Sequence, residues 1–255
     1  MRASDAGSAG IAFLDRLSAE RELIVAAAPE EKSEDRKRVC KKTGHDLVFP
    51  KRNKFQTRRH SESMASEKLF IPLILGTNRK DRESETVAKW VHSQMQSRED
   101  IEPDYFDVRD FALPQDHYGT EIGDMFPEWN SAVTRADGLV VVTPEYNHGY
   151  PGILKSVLDL LLKEYIHKAV AFVGVSAGPW GGTRVIEAMV PMVRELGLAV
   201  TFTDLNFPKV ATKFGEKGEL LDPAYEKRVS GFLDELAWMA RTLRWGRENV
   251  PSRFH

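Results

Sequence analysis

Four short apolar runs constrain this chain more than any other feature of it. LFIPLIL (69–75), GLVVVT (138–143), AVAFVGVS (169–176) and LAVTFTDL (198–205) are rich in valine, isoleucine and phenylalanine. Each is too short for a buried helix and too uniformly apolar for a strand with one face in water, so they read as central strands of a parallel sheet. Amphipathic helical segments lie between them: SETVAKWVHSQMQ after the first, ILKSVLDLLLKEY after the second and GTRVIEAMVPMVRELG after the third. A weaker strand around DYFDVRDF (104–111) is expected to follow the first helix. Strand and helix in alternation, joined by right-handed crossovers, imply an α/β doubly wound sheet of about five parallel strands with helices on both faces.

The pattern begins only near residue 66. Before it, the stretch from Arg36 to His60 carries Arg36, Lys37, Arg38, Lys41, Lys42, Lys51, Arg52, Lys54, Arg58 and Arg59 against the one acid Asp46, with few apolar residues between. Such a segment has no means of building a core. Residues 1–65 are therefore expected to be a disordered basic extension, 66–248 the folded domain and 249–255 a tail. Met64 would serve as an alternative start. A net charge of −2 and a pI near 6.4 argue against a general nucleic-acid binder. The single cysteine, Cys40, forms no internal disulfide and no zinc cluster, which points to a reducing, cytoplasmic setting. No apolar run approaches the roughly 20 residues of a spanning helix, and the amino terminus lacks a basic-then-apolar signal pattern.

Ligands of such sheets sit beyond the carboxyl ends of the strands, where the strand order reverses. Three loops there have unusual compositions. In GTNRKDRESETV, Gly76 permits a tight turn, Thr77, Ser84 and Thr86 offer hydroxyls, Arg79 offers a planar charged fork, and the following helix presents free amides. Together they suit a phosphate; the plain alternative is a polar loop with Ser84 as a helix cap. The glycine spacing matches neither a Walker loop nor GxGxxG. In TPEYNHGYPG, Pro144 and Pro151 stiffen the backbone, Tyr146 supplies an aromatic wall, and Asn147 tolerates left-handed geometry and supplies an amide. That mixture fits a flat polar heterocycle. His148 reads more readily as a solvent-facing or structural side chain than as a proton donor. SAGPWGGTR brings Ser176, Gly178, Gly181 and Gly182 to the start of the next helix, the alternative being an ordinary glycine turn.

These segments, GTNR, PEYNHGYPGILKSVLD and SAGPWGGTR, together with FPKV (207–210) and GELLDPAYEKRV, closely resemble the NADPH-dependent FMN reductases, flavodoxin-like proteins that include quinone, azo-dye and chromate reductases. The likeness covers about residues 69 to 245. It implies FMN as cofactor and NADPH as co-substrate. Thr77, Arg79, Ser84 and Thr86 would hold the FMN phosphate; Pro144, Glu145, Tyr146 and Asn147 would line the isoalloxazine ring, largely through backbone groups; Ser176, Gly178, Gly181 and Gly182 would border its other side. Thr77 stands where serine is common, and Ser156 where asparagine often follows the Leu-Lys pair. Hydride would pass from NADPH through the flavin to a small acceptor such as free FMN, a quinone or an azo compound, in alternating half-reactions that need no catalytic acid, base, nucleophile or metal. An electron-carrying flavodoxin or a redox-sensing flavoprotein is the rival reading.

Self-association is expected as well. In ILKSVLDLLLKEY, Leu154, Leu158 and Leu162 widen the apolar surface beyond the stripe of Ile153, Val157, Leu160 and Leu161. The excess calls either for a neighbouring helix or for a two-fold partner, in a homodimer or homotetramer, beside the flavin.

Overall fold

The computed structural model describes residues 67–254. The basic extension, Cys40 and Met64 lie outside them. One sheet organises the described chain: β1 (Leu69–Leu75), β2 (Ile101–Asp107), β3 (Gly138–Pro144), β4 (Ala169–Val175), and a fifth line made of β5 (Ala199–Val200) and β6 (Leu205–Phe207). All pairings are parallel, in the order β2-β1-β3-β4-β5, with β6 beside β4 further along. This is the 2-1-3-4-5 order of the flavodoxin-like fold, whose switch point lies between β1 and β3.

The strand alternation divides the apolar side chains between two cores. Leu69, Ile71, Leu73 and Leu75 face one way, onto Val87, Val91 and Met95 of α1 (Ser84–Gln96) and onto Phe232, Leu233 and Leu236 of α5 (Ala224–Asn249). Ile74, Leu139, Val141, Val170 and Phe172 face the other way, onto Trp129 and Val133 of α2 (Pro127–Arg135), Leu154 and Val157 of α3 (Gly152–Leu158), and Val185, Ile186 and Met189 of α4 (Thr183–Glu195). With both faces covered, β1, β3 and β4 are buried throughout. At the amino-terminal edge of the sheet, the buried Asp137 accepts a hydrogen bond from the Phe70 main chain (2.9 Å) and pairs with Arg244 and Arg247, tying α5 to β1 and β3.

Four sequence expectations need correction. The second strand runs over 101–107 rather than 104–111, because the Asp107 side chain accepts from the Arg109 N–H (2.9 Å) and turns 108–110 into a 3-10 helix. The fifth strand is interrupted. Val200 pairs with Val170 and Leu205 with Val173, so four residues, 201–204, stand opposite two of β4. The Thr201 N–H still donates to Val170 O (3.0 Å) while its hydroxyl reaches Val170 O and Thr203 O, and Phe202 beyond it is thrown into solvent at 82% exposure. The segment α2 was not foreseen, its nine residues being too short and too mixed to stand out.

The fourth correction concerns ILKSVLDLLLKEY. Its helix ends at Leu158, not near Tyr165, with Asp159 as its C-cap, and Leu160 and Leu161 enter the core from beyond the helix. The freed Leu160 carbonyl packs against Gly123, where a Cβ would lie 2.6 Å from it. Leu154 and Leu158 are fully buried within the chain's own core, and only Leu162 is exposed. The apolar excess that argued for a two-fold partner is thereby covered internally.

Candidate active site

At the end of β1 the chain turns at Gly76, whose N–H donates to Val142 O on β3 (2.8 Å). A side chain there would press on Leu154 of α3, with Cβ 2.7 Å from Cδ2. Thr77 is wholly buried. Its hydroxyl lies 3.0 Å from the Tyr146 hydroxyl and accepts from the Arg79 N–H (3.3 Å). Arg79 itself is exposed and stands with its guanidinium carbon 5.9 Å from the Tyr146 ring centroid, a cation–π arrangement. Thus the loops after β1 and β3 meet through Thr77, Arg79 and Tyr146 at the switch point.

Ser84 opens α1 but does not cap it: the helix has no side-chain cap, and the buried Ser84 hydroxyl has no partner among the described residues. A buried hydroxyl without a partner calls for a missing one. It stands at the start of a helix without a side-chain cap, and a helix N-terminus of that kind suits a phosphate oxygen. Thr86 sits half-buried two residues on, near the turn at Gly218.

What holds this loop was missed in the sequence. Arg82, not Arg79, is the buried arginine of GTNRKDRE, with its side chain 2% exposed. It forms a forked ion pair with Asp107 (NH1–Oδ1 2.8 Å), reaches Glu85 through Nε (3.2 Å) and donates to the Thr77 carbonyl. Burial opposes its charge, yet the Asp107 and Glu85 carboxylates outweigh that and hold its pKa above the ordinary arginine value. Arg109, from the turn after β2, donates to the carbonyls of Asn78 and Arg79. The one available signal was topological: β1 and β2 are adjacent and in register, with Leu75 opposite Asp107, so residues just beyond them must meet.

The second loop leaves β3 at the buried Pro144. The Glu145 N–H still follows β4, donating to Val175 O (3.0 Å). Tyr146 and Gly149 then exchange both main-chain hydrogen bonds (3.0 Å each) around Asn147 (φ 50°) and His148 (φ 66°). Two successive left-handed residues define a type I′ turn, in which Asn147 is at ease and histidine is tolerated. Pro151 then sets the start of α3.

In the third loop Ser176 acts as a staple. Its hydroxyl donates to Gly178 O (2.9 Å) and accepts from Gly181 N–H (2.8 Å). Gly181 (φ 62°) and Gly182 (φ 81°) need their lack of a side chain for the fold itself: a Cβ on Gly182 would lie 2.7 Å from the Gly174 Cα and the Val175 nitrogen. Gly178 meets nothing within 4 Å and is open to whatever occupies the cleft. Trp180, on the same loop, is 58% exposed. So Thr77, Arg79 and Tyr146 are joined directly, Glu145 is linked to β4, and Ser176, Gly178 and Gly181 organise their own loop. Among the described residues no cluster of His, Cys, Asp and Glu suits a metal ion, and no helix is long and apolar enough to cross a membrane.

Known proteins resemble this chain over most of the described residues. A chain from Schizosaccharomyces pombe, an NAD(P)H-dependent FMN reductase, is 32% identical over 166 residues, which is 61% of this chain and 80% of that one. A 2-hydroxy-1,4-benzoquinone reductase of a Burkholderia species is 26% identical over 186 residues, 69% of this chain and 98% of its own. Among solved structures, a flavoenzyme NAD(P)H:(acceptor) oxidoreductase from Paracoccus denitrificans superposes with a TM-score of 0.59 at 20% identity, over 68% of this chain and 98% of that one, and so shares the fold. Residues 71–212, more than half of the chain and all three loops, match the family described as NADPH-dependent FMN reductase. The chain belongs to that family of flavin-dependent oxidoreductases.

Proposed function

We propose that this chain holds FMN across the ends of β1, β3 and β4 and uses it to pass hydride from NADPH to a small, flat electron acceptor. The observation that carries the reading is the junction at the switch point. A loop suited to phosphate and a loop suited to a planar ring are joined there by the Thr77–Tyr146 hydrogen bond. Flavin supplies the redox chemistry, taking hydride from a nicotinamide and yielding electrons to an acceptor. The protein's part is to bind and orient. Arg79, Thr77, Ser84 and Thr86 hold the phosphate, with Arg82 fixing their loop from behind. Pro144, Glu145, Tyr146 and Asn147 present main-chain groups to the ring edge, and Ser176, Gly178, Gly181 and Gly182 form the opposite border.

A quinone or azo compound suits the acceptor, since relatives bear the names 2-hydroxy-1,4-benzoquinone reductase and NADPH azoreductase. Each is thin enough to occupy the place a nicotinamide has left. The test is an anaerobic mixing experiment in which FMN-loaded protein meets NADPH or NADH in turn, and then a benzoquinone. The reading expects flavin bleaching faster with NADPH, followed by recovery of colour on adding quinone. Protein that retains no FMN, or whose bound FMN neither nucleotide bleaches, would refute it.

A further inference from the structure

The ring-facing turn holds two non-glycine residues in left-handed geometry, Asn147 and His148, and its own closure consists of only the two Tyr146–Gly149 hydrogen bonds. Something outside the turn must decide where it points. On the β1 side that is Tyr146, through Thr77. On the β4 side a single guanidinium reaches both flanks of the turn. Arg184, the second residue of α4, donates through Nε to Glu145 Oε1 (2.7 Å) and also pairs with that oxygen through NH2. Its NH1 lies 2.8 Å from His148 Nε2, which acts as the acceptor because a guanidinium only donates. The same guanidinium stands 5.4 Å from the ring centroid of Trp180.

The Glu145 side chain is 4% exposed and its Oε2 is buried without a partner among the described residues, so Arg184 is the one cation balancing it. Meanwhile the main-chain N–H groups of Asn147 and His148 have no acceptor among the described residues. Consecutive N–H groups in such a turn form a small concavity suited to negative charge.

We propose that Arg184 is a positioning residue: by gripping Glu145 before the turn and His148 within it, it aims the free N–H groups of Asn147 and His148 at the bound ring. This rests on the reading that the cleft holds FMN. The aimed donors favour negative charge on the ring, so they raise its affinity for electrons. Lysine is a poorer substitute, because a compact ammonium lacks the planar fork whose separate edges reach Glu145 and His148.

The experiment combines FMN titration of the apoprotein, followed by quenching of FMN fluorescence, with the midpoint potential of the bound flavin. It compares the unmodified chain with Arg184→Lys, Glu145→Gln/Arg184→Met and His148→Asn. The double variant removes the charge imbalance that Arg184→Met alone would leave, and His148→Asn keeps a residue at ease in left-handed geometry while losing the reach to Arg184. The inference expects the double variant to keep its thermal midpoint yet bind FMN at least tenfold more weakly and at a more negative potential, a loss of about 1.4 kcal/mol. Arg184→Lys and His148→Asn should shift both quantities in the same direction by less. Unmodified affinity and potential in both the double variant and His148→Asn would show that Arg184 only neutralises Glu145, and would overturn the inference alone. Failure of the unmodified protein to take up FMN would overturn the flavin reading and this inference with it.

Discussion

Replacing Arg82 by methionine tests how the phosphate loop is held. The side chain is 2% exposed and is shared among Asp107, Glu85 and the Thr77 carbonyl. Methionine keeps much of the volume but leaves the Asp107 carboxylate, 16% exposed, with the Arg109 N–H (2.9 Å) as its remaining bond. Breaking a buried pair by removing one partner destabilises by about 3 to 5 kcal/mol. Partial exposure of Asp107 and that surviving bond put the loss near the low end, at about 3 kcal/mol. For a domain of this size, that lowers the thermal midpoint by about 6 to 12 °C. FMN affinity should fall too, since the Thr77 carbonyl loses its donor and the loop is left with Arg109 alone on the Asn78 and Arg79 carbonyls. Thermal melts and urea titrations of the apoprotein measure the first effect, and fluorescence titration with FMN the second. A variant within 2 °C of the unmodified midpoint with undiminished FMN affinity would refute the assignment of Arg82 as the loop's anchor.

Other residues give contrasting outcomes. Arg79→Ala removes an exposed cation and should leave the thermal midpoint unchanged while weakening FMN about 10- to 150-fold, the value of a charge-assisted hydrogen bond of about 1.5 to 3 kcal/mol; titration checks it. Gly182→Ala places a Cβ against the Gly174 and Val175 backbone at φ 81° and should destabilise by about 2 to 5 kcal/mol in urea. Lys168 is buried, with Nζ donating to the Thr134 carbonyl (2.7 Å) and to that of Val133; burial, then Arg247, pushes its pKa down to about 8, against the pull of Asp137. The unfolded chain keeps that proton to about pH 10.4, so between there and pH 8 it binds more protons than the folded one, and stability rises with pH by up to ~3 kcal/mol. Urea titrations across this window should show the rise in the unmodified protein and a smaller one in Lys168→Met.

The sheet was legible because β1, β3 and β4 are buried on both faces, and an uninterrupted apolar run has few other uses. The left-handed geometry of Asn147 was legible for a similarly local reason, since few residues tolerate it. Where the outcome depended on partners far along the chain, the sequence was silent. Nothing in GTNRKDRE marks Arg82 rather than Arg79 as the buried cation, for the choice is made by Asp107 on the neighbouring strand. The two extra residues of the fifth strand, set by Val200 pairing with Val170 and Leu205 with Val173, have no sequence pattern to mark them. The leucine run after Gly152 was legible as apolar but not in its path. Its surplus left a neighbouring helix or a two-fold partner open, and the chain leaves the helix after Leu158 and buries Leu160 and Leu161 in its own core. Arg184 escaped notice because an arginine early in an amphipathic helix is an ordinary surface residue until the loop containing Glu145 and His148 folds over it.

The central claim is that the cleft at the ends of β1, β3 and β4 is a flavin site reduced by a nicotinamide nucleotide. Its most direct test is the visible absorbance of FMN-reconstituted protein mixed anaerobically with NADPH, with Arg79→Ala run beside it at the same FMN concentration. The account predicts near-stoichiometric FMN on the unmodified chain, rapid bleaching by NADPH, and little bound flavin to bleach in the variant. Unmodified protein without bound FMN, or an Arg79→Ala protein indistinguishable from it in both flavin content and bleaching, would contradict the account.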